Sequence, residues 1–143
     1  MMDYFLTPLV ETDWLAAHLD DPDLRVVDLR WRGDDTGRQL YLQGHIPGAV
    51  HLDWHLDLNG ASPDDRLLPP ERFAALMEAN GIGNATRVVA YAKTDHSGAA
   101  RLWWALRYHG HDQVAVLNGG FTKWLAEGRP VTTDLPTPPP ARF

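Results

Sequence analysis

Cysteine is absent from this sequence. That one absence removes disulfides, thiolate-ligated metals and cysteine nucleophiles together. It also leaves redox chemistry silent about the compartment. Positive charge is in short supply: 19 acidic residues stand against 13 basic ones, a formal net charge of −6. This balance favours solubility and offers no electrostatic footprint for nucleic acid. No apolar run approaches the ~20 residues that a membrane-spanning helix needs, so no membrane partner is expected. Met1-Met2-Asp3-Tyr4 has neither the basic start nor the apolar core of a secretory signal. A soluble, cytoplasmic protein is the expectation. Repeats of solenoid length are also missing.

What is present fits one compact domain: 143 residues, 44 % of them hydrophobic. Val10 to Leu19 reads as a short helix capped by Thr12, with Trp14, Leu15 and Leu19 as its apolar stripe. Leu24 to Leu29 is a strand candidate, β-branched at its centre. Polar, glycine-bearing sequence follows from Arg32 to Arg38, and Ile46 to Leu52 reads as a turn entering a short strand. Pro69 to Ala79 reads as a helix started by proline and ended by Gly81. Arg87 to Tyr91 is the strongest strand signal. The loop Ala92 to Gly98 leads from it into a helix over Ala99 to His109, closed by Gly110. Gln113 to Leu117 is another strand, and Asn118-Gly119-Gly120 turns into a helix over Phe121 to Glu127. Strands alternating with helices predict an α/β fold with a mainly parallel sheet.

Residues 1–130 are expected to form the domain. Residues 131–143, rich in proline, are expected to form an extended, semi-rigid linker leading to a second domain beyond this chain.

Three segments, in order, resemble the rhodanese family. Tyr41-Leu42-Gln43-Gly44-His45-Ile46-Pro47-Gly48-Ala49-Val50 looks like its N-terminal signature. The strand, loop and helix from Val88 to Arg107 follow. Leu117-Asn118-Gly119-Gly120-Phe121-Thr122-Lys123-Trp124 is similar to its C-terminal signature. With Val27-Asp28-Leu29-Arg30-Trp31, the match runs from about Val10 to Pro130. Ala99 to Tyr108 resembles the N-terminal, cysteine-less half of tandem thiosulfate or 3-mercaptopyruvate sulfurtransferases. The resemblance implies a rhodanese-like sheet of about five strands with helices on both faces. It also implies a cysteine-bearing second rhodanese domain as partner. No cofactor is expected.

In an active member of that family a cysteine begins the loop after the strand that ends here at Tyr91. Backbone N–H groups and a helix N-terminus hold such a thiol as thiolate. The corresponding residue is Ala92, whose methyl neither ionises nor carries a persulfide. The degenerate loop Ala92, Lys93, Thr94, Asp95, His96, Ser97, Gly98 remains a candidate cradle for a small anion, with Lys93 adding attraction. Asp95-His96-Ser97 holds the residue types of a hydrolytic triad, but triad members normally converge from separate places in the fold. A polar loop with Ser97 or Asp95 capping the next helix is the plainer reading.

His51 and His55 lie four apart where a strand gives way to irregular chain, and no His-Glu-x-x-His motif is present, so no metal is expected. His45 is expected to orient its turn through a hydrogen bond. On the helix from Ala99, Ala99, Leu102, Trp103 and Leu106 share a core face. Trp104 and Tyr108 lie on nearly the opposite side, either covered by another element or meeting a partner domain. Asp28 and Arg30 follow a strand where parallel sheets open ligand crevices. They read as a salt bridge, a general acid/base pair, or part of a domain interface.

The leading expectation is a non-catalytic domain of a tandem sulfurtransferase, one wall of a site completed elsewhere. In the family such enzymes move sulfane sulfur from thiosulfate or 3-mercaptopyruvate to cyanide or thiols. The alternatives are a stand-alone inactive binding or regulatory module, and a catalytic domain using Asp95, His96 or Ser97.

Overall fold

The computed structural model describes residues 5, 7–31, 36–54, 57, 68–94 and 97–143. In chain order the elements are β1 (Leu9–Val10), α1 (Thr12–His18), β2 (Leu24–Asp28), α2 (Thr36–Gln43) and β3 (Val50–His51). They continue with α3 (Pro70–Ala79), β4 (Arg87–Tyr91), α4 (Ser97–Tyr108), β5 (Val114–Leu117) and α5 (Gly120–Ala126). The strands form one sheet in the order β1-β5-β4-β2-β3, and every pairing is parallel. The expected α/β architecture is therefore present, and no described helix is long and apolar enough to cross a membrane.

Period-two alternation sorts the strand side chains into two cores. Val27, Leu29, Val88, Ala90, Val114 and Val116 face Phe73 and Met77 of α3 and Leu102, Ala105 and Leu106 of α4. Leu24, Val26, Val89, Tyr91 and Leu117 face Leu15 of α1, Tyr41 of α2, and Phe121 and Trp124 of α5. Buried on both sides, β4 is the continuous Val-Val-Ala-Tyr run that doubly covered parallel strands show.

Three helices stop by the same device. After α3, α4 and α5, Gly81, Gly110 and Gly128 take φ of 74°, 88° and 70°. Ile82, His111 and Arg129 then donate back to Met77, Leu106 and Trp124 at 2.9, 2.8 and 3.3 Å. A left-handed residue followed by this six-residue return satisfies carbonyls the helix leaves open, and glycine adopts it without Cβ strain.

Several local expectations are corrected. Thr12 lies inside α1, with Glu11 at the cap position; its hydroxyl donates to Glu127 instead. Helix α4 begins at Ser97, two positions earlier than expected, so Ser97 is a helical residue and not the cap. Within α4 the expected core residues Ala99, Leu102 and Leu106 are buried, Ala105 joins them, and Trp103 packs half-buried against the same core beneath the Arg107 guanidinium. Strand β1 and helix α2 were not anticipated.

The proline-rich segment carries no helix and is tied to the domain. Thr132 exchanges two 2.9 Å backbone bonds with His45, and Asp134 O meets His45 Nε2 at 2.8 Å. Arg142 O accepts Asn84 N at 2.8 Å. The Phe143 ring packs against Phe73 and His111.

Candidate functional site

The chain leaves β2 toward β3 over one face of the sheet, and β4 toward β5 over the other. Right-handed crossovers in opposite directions must use opposite faces, so a crevice opens between the C-terminal ends of β2 and β4. That is where ligands bind in open parallel sheets. The crevice holds a cavity of about 310 Å³. Leu29 and Trp31 line it from the end of β2, Trp54 from beyond β3, Ala92 and Lys93 from the end of β4, and Ser97 and Gly98 from the first turn of α4.

Two glycines permit this geometry. A Cβ on Gly98 would stand 2.6 Å from Leu29 O and 2.8 Å from Trp54 Cδ1. The first turn of α4 therefore lies directly on the extension of β2. Gly120, at φ 61°, would place a Cβ 2.5 Å from Lys93 O. That closeness lets Phe121 N and Thr122 N donate to Ala92 O and Lys93 O at 2.9 and 3.1 Å. The carbonyls at the start of the loop thus serve the N-terminus of α5. Thr94 is exposed and shares a 2.8 Å hydroxyl contact with Thr122.

The described lining of the cavity is aromatic and poor in reactive groups. Trp31 and Trp54 meet edge to face at 5.0 Å between ring centroids. Ala92 is 4 % exposed and contributes a methyl. Among the described lining residues Lys93 is the ionisable one and Ser97 the hydroxyl-bearing one. Asp95 and His96 lie outside the described residues, as does His55.

Asp28 and Arg30 form a buried pair. Asp28 Oδ1 accepts Arg30 N and Nε at 2.9 and 3.2 Å, and Oδ2 accepts Nε and Nη2 at 3.0 and 2.7 Å. Tyr91 Oη donates to the same Oδ2 at 2.8 Å. Arg30 Nη2 also reaches Gly44 O at 2.7 Å, and the guanidinium lies 4.1 Å above the Phe121 ring. Burial, reinforced by the Asp28 charge, holds the Tyr91 phenol well above its ordinary pKa. The salt-bridge reading is the one observed. Asp28, at 0 % exposure, presents no surface to a partner domain, and its saturated carboxylate is not placed for proton transfer to a ligand.

Trp104 and Tyr108 are 42 % and 65 % exposed. Their rings are tilted against each other at 5.9 Å, with Arg101 5.0 Å over Trp104. No described element covers them, and they do not line the crevice. His51 Nε2 faces Arg30 O at 3.4 Å, and burial pushes its pKa below the usual imidazole range. His45 is buried, its Nδ1 2.8 Å from Tyr41 O. The expected site residues that are described thus fall into three places: the crevice loop, a buried ion pair beneath it, and an outer patch on α4. Sequence reasoning missed Leu29, Trp31 and Trp54 as lining residues. Their signal was position, since each follows the C-terminal end of a strand.

Comparison with known proteins agrees with this geometry. The profile of the Rhodanese-like domain matches residues 11–127. The sulfur carrier protein TtuD of Thermus thermophilus is 44 % identical over 135 residues, covering 94 % of this chain and 45 % of that protein. Bovine thiosulfate sulfurtransferase is 43 % identical over 144 residues, covering 94 % of this chain and 48 % of its own length. The crystal structure of SseA from Escherichia coli superposes with a TM-score of 0.86 at 33 % identity, over 96 % of this chain and 54 % of that one. The chain spans about half the length of the curated relatives it matches.

Proposed function

We propose, starting from the fact that this chain belongs to the rhodanese-like domain family, that it is a non-catalytic domain of a thiosulfate or 3-mercaptopyruvate sulfurtransferase. Its role is structural: it supplies one wall of a site whose sulfur-carrying cysteine lies in a second rhodanese domain. The whole enzyme passes sulfane sulfur from its donor to cyanide or a thiol.

The observation that carries this reading is Ala92. It follows directly on β4 at the crevice between β2 and β4, in a chain without a single cysteine. Persulfide chemistry needs a thiolate there, and a methyl group offers neither charge nor a leaving sulfur. Relatives named as sulfurtransferases, about twice as long as this chain, support a partner domain in the same polypeptide. The aromatic wall of Trp31 and Trp54 is suited to packing against such a partner or its substrate.

The test is a thiosulfate:cyanide assay on the purified 143-residue chain. The expected rate is the uncatalysed one. Turnover that follows the protein through purification, or a covalent sulfur adduct found on it by mass spectrometry after thiosulfate treatment, refutes the reading.

A further inference from the structure

A second cavity, of about 380 Å³, opens on the other side of Lys93, against α5 and the end of α2. Leu40, Phe121, Leu125 and Val131 make its walls largely apolar; among the described lining residues Arg30 and Lys93 are the charged ones and none is a carboxylate. In a chain of net charge −6 that is an uncommon local balance.

Arg30 is the unusual member. Its side chain is 5 % exposed. Nε and Nη2 are committed to Asp28 and Gly44, and one face of the guanidinium is covered by Phe121. Nη1, with two N–H groups, has no acceptor among the described residues. Nη1 is not one of the buried polar atoms left without a partner: its N–H groups meet solvent in the cavity that Arg30 lines, and a bound anion would replace that water with a charge-assisted hydrogen bond. Asp28 already neutralises the Arg30 charge. Arg30 therefore offers directed donors, and Lys93, whose side chain makes no ion pair or hydrogen bond among the described residues, offers the net positive charge.

We propose that this cavity binds a small organic monoanion, a carboxylate or sulfonate on a compact apolar body. The anionic head sits on Arg30 Nη1 and Lys93, and the apolar body lies against Phe121 and Leu125. The site is separate from the crevice that Ala92 lines, and it needs no cysteine.

The test is an amide-detected NMR titration of the whole chain at low ionic strength with benzoate, and with benzamide as its uncharged counterpart. Saturable benzoate binding with a Kd on the order of 1 mM is expected, with shifts centred on Gly44, Thr122 and Leu125. Benzamide should bind about tenfold more weakly. Lys93→Ala should weaken benzoate by about two- to fivefold, as loss of one exposed charge contact does. Leu125→Trp, a change at an exposed position, should fill the cavity and abolish binding. The proposal fails if benzoate does not saturate by about 10 mM, tenfold above that Kd, or if benzamide binds equally well. It fails too if the shifts centre on Gly98 and the Trp54 indole, or if Leu125→Trp binds as the parent does.

Discussion

Arg30 grips Asp28 through both carboxylate oxygens, two residues along the same chain, with neither side chain more than 5 % exposed. The pair closes the end of β2 and joins it to β4 through Tyr91 and to the end of α2 through Gly44. Removing one partner strands the other as a buried charge. Arg30→Met should therefore destabilise the domain by about 3–5 kcal/mol. The double variant Arg30→Met, Asp28→Asn should recover part of that loss. Urea midpoints of the two single variants and the double variant decide it; strict additivity would mean the charges do not depend on each other.

Ala92→Cys asks whether the cradle outlived its nucleophile. The first turn of α4 adjoins the position, with Lys93 beside it. Both favour an anion. The introduced thiol should titrate below the ordinary value of about 8.5, read from the pH dependence of its alkylation. An unshifted thiol would mean that the loop no longer concentrates positive potential.

His51 and His111 are both held below the usual imidazole pKa, in each case chiefly by burial. A group whose folded pKa is lowered contributes stability that is fully present above its unfolded pKa and lost as pH falls through the folded one. The unfolded chain takes up protons below about pH 6.5 while the folded chain resists. Urea midpoints should therefore be flat above about pH 7 and decline below about 6.5. His111→Gln should flatten part of that slope. Asp23, lowered chiefly by its hydrogen bond to Arg87, acts in the same direction but only near and below its ordinary carboxylate range. A midpoint that rises on acidification through pH 6 would contradict the assignment.

The proline-rich tail should contribute to stability. Phe143 is half-buried against Phe73 and His111, and its N–H donates to Glu78 Oε2 at 2.9 Å. Phe143→Ala should cost about 1–2 kcal/mol, less than the ~3–5 of a fully buried phenylalanine. Deleting residues 131–143 should cost more, because the paired bonds between His45 and Thr132 go as well. Denaturation curves unchanged by deletion would make the tail an independent linker.

Much of this fold was legible beforehand because its signals are local. Arg87–Tyr91 is an unbroken apolar run at strand length, and Gly81, Gly110 and Gly128 mark helix ends through a conformation that glycine adopts freely. Helix α2 was missed because its Thr-Gly-Arg-Gln opening carries no apolar periodicity; Tyr41, packed under Ile46 and Ala49, holds it in place. Strand β1 has two residues and exists only as a partner of β5.

By itself the residue order determined that this polypeptide has no thiol to offer, and that a strand ends at Tyr91 with Ala92 after it. Those are facts of identity and short-range pattern, and no packing alters them. Tertiary structure alone decided that Leu29, Trp31, Trp54 and Gly98 meet Ala92 around one cavity, that Asp28 and Arg30 turn inward, and that the tail folds back onto Phe73. Each of these depends on where strands distant in sequence lie side by side, and the order β1-β5-β4-β2-β3 is a property of the assembled sheet.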